Sequence, residues 1–437
     1  MSRLLVLNAG SSSVKFGLYT DDPVPAEVLR GQVDGLGATA KLVVAGETTP
    51  LGRTDAEHAL PVVFGALGRH LHGHRVAAVG HRIVHGGPRF AAPVVLDRAM
   101  LDVLDGFSSL APLHQPHNLA AVRAAMAAFP EAVQVGCFDT AFHRTQPPEA
   151  ERFAIPRALH DEGVRRYGFH GLSYQHIAGV LAAEYPALHA GRVIVAHLGS
   201  GASMAALRGG RSVATTMGFS ALDGLPMGTR PGQIDPGVLL WLIEEKGHDA
   251  KSLTRFLYKD CGLLGVSGLS NDMRVLEASG APEAAEAIAL FAYRIRCEIG
   301  ALAAALGGLD GLVFTGGIGE HSARVRAEAL AGLGWLGLAV DPAANAANAR
   351  QIGAGALPVL VLPTDEEGVI AAAAATALTN GRAAGWDCPP GRSNGSARPG
   401  PDPARGSVPR PCRPTGQRPR PASAGPRVAR ASFPGRR

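Results

Sequence analysis

The sequence predicts an α/β protein of two similar halves facing a common cleft, and three observations carry that expectation. Residues 4–19, LLVLNAGSSSVKFGLY, read as two short apolar strands joined by a Gly-Ser turn. Residues 194–205, IVAHLGSGASMA, repeat the unit: aligned on Leu5–Phe16, Asn8 meets His197, Gly10 meets Gly199 and Ser11 meets Ser200. Around both copies, apolar strand-like runs alternate with Ala-rich helical ones. A unit recurring after about 190 residues points to duplication, and clefts between domains are common sites for small ligands.

The first turn gathers an amide, a glycine, three hydroxyls (Ser11, Ser12, Ser13) and Lys15. Glycine lets the backbone tighten and expose N–H groups, the hydroxyls add donors and Lys15 adds a mobile charge, a set suited to phosphate. One such turn is also what an ordinary polar hairpin tip looks like; two of them facing each other imply a nucleotide. Next, AAVGHRIVHGG (77–87) reads as a strand bearing Arg82, and LAPLHQPHNLAAVRAAMAAF (110–129) runs from a Pro-rich turn into a helix. In EAVQVGCFDTAFH (131–143) an apolar strand ends in Asp139, where open α/β sheets place ligand-touching residues; an Asp there can equally cap a turn.

Further along, YGFHGLSYQHIAGVLAAEY (167–185) predicts a loop holding His170 and a helix capped by Ser173. MGFSALDGLPMGTRPGQIDPG places several glycines before Arg230 and opens a helix with Asp235 and Pro236. GLSNDMRVLEASG sets Asp272 and Arg274 at a helix start. LDGLVFTGGIGEHSARVRAEAL (309–330) predicts a strand ending at Thr315, a Gly-rich turn and a helix, the layout that lays phosphate or ribose against a helix N-terminus. Finally VLVLPTDEEGVIAAAAATAL (359–378) carries Asp365, Glu366 and Glu367 into a closing helix. Acids there complement the helix dipole, and they also suit Mg²⁺, which takes hard oxygen ligands.

The 437 residues, 46% of them hydrophobic, suffice for two cores. From Gly381 to Arg437 the composition shifts to Pro, Arg, Gly, Ser and Ala, which predicts a disordered tail. Twelve arginines against two acids give that tail +10, which leaves the first 380 residues at −5, so the basic pI describes the tail alone. The tail lacks interleaved aromatics and lysine, which argues against nucleic acid as a partner. Cysteines 137, 261, 297, 388 and 412 show no C-x-x-C spacing, and no apolar run is long enough to span a bilayer. A reduced, cytoplasmic protein without a membrane partner is expected.

Taken together, NAGSSSVKF, GHRIVHGG, LAPLHQPHN, FDTAFH, YGFHGLS, HLGSGAS, MGTRPGQIDP, GLSNDMR, TGGIGEH and PTDEE resemble, in order, the acetate kinase (acetokinase) family of the acetate and sugar kinase, Hsp70 and actin superfamily. The resemblance runs from Met1 to about Leu378. It implies a duplicated RNase H-like, actin/Hsp70-type fold with a nucleotide cleft between two domains: residues 1–145, completed by the helix of 365–380, and residues 146–364. It further implies a homodimer and reversible transfer of the ATP γ-phosphoryl group to acetate, giving acetyl phosphate and ADP, with Mg²⁺, or Mn²⁺ as the alternative metal.

By the same resemblance Asn8 and Glu366 hold the metal and Lys15 lies near the phosphates. His197, Leu198, Gly199, Ser200 and Gly201, then Asp272, Met273 and Arg274, then Gly317, Ile318, Gly319, Glu320 and His321 line the nucleotide site. Arg82 and Arg230 grip the carboxylate and the moving phosphoryl group, His170 stabilises the transition state and Asp139 is the essential acid residue. Val84, Leu113 and Phe169 wall the acyl pocket. Ser200 and His321 stand where the family generally has Asn, and Ala221 where it has Pro, a change that enlarges the acyl pocket. Propionate or butyrate kinase activity is therefore the alternative; a sugar kinase or an Hsp70-like ATPase fits this acceptor side less well.

Overall fold

The first repeat forms because β1 (Ser2–Ala9) carries a continuous apolar run buried on both faces, and β2 (Ser13–Thr20) places Val14, Phe16 and Leu18 at alternate positions; the two pair antiparallel, with Leu7 opposite Phe16 and Asn8 opposite Lys15. The computed structural model describes residues 2–10, 13–112 and 114–383. Expectations resting on Ser11, Ser12, Leu113 and the chain beyond 383 lie outside the described residues. The last helix continues through Ala383, so the change of composition at Gly381 falls within its final turn and does not mark its end.

The first sheet continues with β3 (Glu27–Asp34), β4 (Gly37–Val44), β5 (Glu47–Thr54), β6 (Arg75–Ile83), β7 (Val94–Val95) and β8 (Val133–Phe138), in the order β5-β4-β3-β2-β1-β6-β8-β7. A second sheet holds β9 (Arg192–Leu198), β10 (Ala202–Arg208), β11 (Arg211–Thr215), β12 (Gly311–Thr315) and β13 (Val359–Val361), in the order β11-β10-β9-β12-β13. Pairing is antiparallel across β1/β2, β2/β3, β9/β10 and β10/β11, and parallel across β1/β6, β6/β8, β9/β12 and β12/β13. An antiparallel meander whose first strand receives two parallel strands on its other side thus occurs twice, so the duplication visible in the turns extends to the sheets.

Helices cover both faces of each sheet, as sheets with parallel central strands require. On the first, helix Ala56–His70 buries Leu60, Val63 and Leu67 with Leu5, Leu7 and Phe16, while helix Glu366–Ala383 buries Ile370, Ala371 and Ala374 with Leu4, Val6 and Ala78. Gly80 on β6 makes the second contact possible, because a Cβ there would collide with Ile370 Cγ2. On the second sheet, the 25-residue helix Pro282–Leu306 buries Ile288, Phe291, Ile295 and Ile299, and helix Gly171–Glu184 covers the opposite face through Tyr174, Ile177 and Leu181. No helix among the described residues is long and apolar enough to cross a membrane.

Candidate active site

Both Gly-Ser turns, the β12 end and the start of the last helix border one polar cleft of about 590 Å³. The parallel strands β6 and β8 deliver Arg82 and Asp139 side by side. Arg82 Nε donates to Asp139 Oδ1 (2.9 Å) and Oδ2 (3.1 Å), Nη2 donates to Oδ2 (2.6 Å), and Nη1 donates to Asn8 Oδ1 (3.2 Å). Glu366 Oε2 lies 3.7 Å from Arg82 Nε. Asn8 Nδ2 in turn donates to Glu367 Oε1 (3.2 Å). Burial pushes the Asp139 carboxyl up against the pull of Arg82. The Arg82 guanidinium, burial notwithstanding, is pushed up by the charges of Asp139 and Glu366.

His170 is held in the left-handed region at φ 58°, an uncommon and strained conformation for a non-glycine residue. The following helix begins at Gly171, whose N–H donates to the Asp139 carbonyl (2.9 Å) and which has no room for a side chain against that oxygen. Ser173 therefore sits inside the helix and does not cap it; its hydroxyl bonds instead to His197 Nδ1 (2.8 Å). The rings of His170 and His197 stack with centroids 4.4 Å apart. Burial, then His197, Arg82 and Arg230, push His170 well below its ordinary value, and burial with Arg82 lowers His197 to about 4. Both rings are neutral at pH 7.

Arg230 stands across the cleft, with Nη1 donating to the Ala221 carbonyl (2.6 Å) and no ion-pair partner among the described residues. Burial lowers it to about 10, which leaves it a cation at pH 7. Val84 and Phe169 supply an apolar wall near these charges. Glu320 Oε1 accepts from Gly316 N (2.9 Å) and Thr364 N (3.4 Å), tying the β12 end to the final turn.

Of the residues expected at the site, Asn8, Lys15, Arg82, Val84, Asp139, Phe169, His170, His197, Gly199, Ser200, Gly201, Arg230, Gly317, Glu320 and Glu366 line this cleft. Leu198 and Met273 are core residues, and Gly319 is buried with its carbonyl bound by Arg326 Nη1. Asp272 caps helix Met273–Ala278 and pairs with the exposed Arg274; with Ile318 and His321, these residues are not part of the cleft lining. His114 and Met217 do line it and were missed. The signal for His114 was present, a histidine between two prolines in LAPLHQPHN; Met217 gives none. Burial, then Arg230 and Arg82, lower His114 to about 4.

The cleft thus sets the carboxylate-paired Arg82 opposite Arg230, which has no ion-pair partner among the described residues, beside a small apolar wall and Gly-rich turns. Comparison with known proteins gives the family. Residues 3–372 match the profile of the Acetokinase family. The chain belongs to that family. Within it, the chain is 52% identical over 384 residues to the acetate kinase of Nitrobacter hamburgensis, covering 85% of this chain and 95% of that one. It is 50% identical over 387 residues to the acetate kinase of Rhodopseudomonas palustris strain TIE-1, covering 84% and 96%. Among solved structures, Porphyromonas gingivalis acetate kinase superposes with a TM-score of 0.78 at 37% identity, covering 86% of this chain and all of that one. A Francisella tularensis propionate kinase superposes at 0.81 with 36% identity, covering 85% and 99%. As a member of the acetokinase family, the chain is a phosphotransferase with a carboxyl-group acceptor and ATP or ADP as co-substrate.

Proposed function

We propose that this enzyme transfers the γ-phosphoryl group of ATP to acetate, reversibly and in line, giving acetyl phosphate and ADP. One observation carries the reading: Arg82, Arg230 and His170 meet Val84 and Phe169 in the same cleft as the two Gly-Ser turns, chemistry for a small anion with an apolar end. The relatives named acetate kinase at about half identity support acetate over propionate as acceptor.

The acceptor carboxylate is already ionised at pH 7, so no general base is needed. A carboxylate oxygen bonds to the γ-phosphorus while the bond to the β–γ bridging oxygen breaks and its electron pair leaves with ADP. The obstacle is repulsion between anions, about 4 kcal/mol for unit charges ~4 Å apart at an effective dielectric near 20, or roughly 10³ in rate. Arg230, which stays a cation at pH 7, answers it with a planar fork, Arg82 adds positive charge while held by Asp139, and His170 donates to the moving phosphoryl group. Asp139 acts by aiming Arg82. Lys15 and the two Gly-Ser turns take the nucleotide phosphates.

Mg²⁺ fits this wall: Asn8, Glu366 and Glu367 offer hard oxygens, and the buried Thr364 hydroxyl beside them has no hydrogen-bond partner. Among the described residues no three His, Cys, Asp or Glu side chains form a metal cage. Asn8 and Glu366 would hold it, and when bound it supplies charge neutralisation on the phosphates; Mn²⁺ has the same oxygen chemistry.

We further read residues 1–145 with the 365–380 helix, and residues 146–364, as the two actin-like domains, and place the enzyme in the cytoplasm as a homodimer. Helix Pro236–Lys246 exposes Leu240 (59%), Trp241 (48%) and Ile243 (45%), an apolar face that supports self-association. The deciding experiment traps acyl phosphate with hydroxylamine from Mg-ATP and acetate, propionate or butyrate. Acetyl hydroxamate as the main product is expected; no hydroxamate from any acid, with ATP still bound, would overturn the reading.

A further inference from the structure

Behind His170 lies a buried pair of hydroxyls with no place in the reaction as derived so far. Ser203 Oγ on β10 stands 2.8 Å from His170 Nδ1 and 2.6 Å from the Tyr174 phenol oxygen. Both Ser203 and Tyr174 are wholly buried. We propose that Tyr174 and Ser203 are positioning residues that lock His170 in the tautomer protonated at Nε2, so that this N–H is aimed into the cleft as a donor.

The argument is an account of protons. Burial pushes the Tyr174 phenol up, so it keeps its proton and must donate it. The phenol oxygen also meets the His197 backbone N–H, which can only donate to it, so the phenol's own proton goes to Ser203 Oγ, which accepts. Ser203 then has its own proton to place, and the remaining partner is His170 Nδ1. With Nδ1 accepting, the neutral ring carries its hydrogen on Nε2. The opposite tautomer would have Nδ1–H donate to Ser203, leaving either the serine or the tyrosine hydrogen buried without an acceptor. An unmet buried donor weights the population against that tautomer by about tenfold or more.

The free end of the ring faces the reacting groups. A Cβ on Gly201 would stand 3.3 Å from His170 Nε2 and 2.8 Å from Arg230 Nη2, so both nitrogens close on the space that this glycine leaves open. In the wrong tautomer Nε2 would turn a lone pair toward a phosphoryl anion. The order from Tyr174 through Ser203 to His170 thus decides whether the ring attracts or repels the group in transit. Its effect on rate rests on the phosphoryl-transfer reading; the tautomer itself does not.

The test is ¹⁵N NMR of the full chain labelled at histidine, with His170 assigned through the signal lost in His170→Gln. The expected result is an unprotonated, pyridine-type Nδ1 and a protonated Nε2 in the wild-type protein; a protonated Nδ1 overturns the proposal, and this measurement needs no variant to fold. Tyr174→Phe and Ser203→Ala should each give mixed tautomers and lower kcat by about tenfold to a hundredfold, with KM for ATP and acetate within about twofold of wild type. Ser203→Thr, which keeps the hydroxyl, should restore the single tautomer. Wild-type tautomer and kcat in both Tyr174→Phe and Ser203→Ala would refute the relay. Failure of the wild-type enzyme to form any acyl phosphate would instead sink the reading of the reaction and leave the NMR result standing.

Discussion

The pairing of Arg82 with Asp139 yields the sharpest prediction, because it separates a residue that acts on substrate from one that acts through a neighbour. Three N–H···O contacts of 2.6–3.1 Å join the two side chains, and the Asp139 side chain is 2% exposed. At about 3 Å and an effective dielectric near 20 the attraction is about 5–6 kcal/mol, offset by desolvation of both ions. Removing one partner of such a buried pair destabilises a protein by about 3–5 kcal/mol. Asp139→Asn and Arg82→Ala should each show a loss of that order in urea unfolding. If Asp139 serves only to aim Arg82, each variant lowers kcat/KM by about 10²–10³ in the hydroxamate assay. The double variant is then no more than about tenfold worse than the poorer single one, a coupling of at least about 1.4 kcal/mol. Losses that multiply, with coupling within about 0.5 kcal/mol, would show that Asp139 has a separate task and would refute the reasoning.

Other expectations follow from the same geometry. Burial lowers His81, His85 and His143 to about 4, so the unfolded chain takes up protons first as pH falls below its ordinary 6.5. Stability is full above about pH 6.5 and is lost as pH falls toward 4, by about 3 kcal/mol per histidine, which urea midpoints at stepped pH would register; a flat profile would contradict it. Ile370→Ala empties the space above Gly80 and should destabilise by about 2–5 kcal/mol in urea unfolding. Ala221 lines the same cleft as Val84 and Phe169, with its carbonyl bound to Arg230; if these form the acyl pocket, Ala221→Pro should narrow it and reduce propionate relative to acetate kcat/KM by about tenfold or more. An unchanged ratio would remove Ala221 from the determinants of acid size.

Much of this was legible because the informative segments are short and carry their own punctuation. A strand, a Gly-Ser turn and a strand can be read twice from local pattern alone, and both copies fold as hairpins. Asp139 was legible because a mostly apolar strand ends on it. Less legible was anything decided by packing from a distance. Ser173 has the identity of a helix cap, yet the chain enters that helix through a left-handed His170 and the serine is drawn to His197. The Gly-rich turn expected after Thr315 is absorbed into a helix beginning at Gly316, where a φ of 78° makes the corner in one residue. In PTDEE the spelling does not tell which glutamate meets which partner; the helix phase brings Glu367 to Asn8 and Glu366 toward Arg82. The Tyr174–Ser203 contact joins residues 29 apart on a helix and a strand, and no local pattern announces it.

The repeated sheet has a consequence for how the two copies have diverged. In register, exposed Lys15 in the first copy corresponds to wholly buried Met204 in the second, and Asn8 to His197. Because every strand of each module finds its partners within its own half, one copy could acquire ionic duties while the other turned the matching position inward, with neither change disturbing the other's ladder. The two hairpins thus carry different chemistry at matching strand positions.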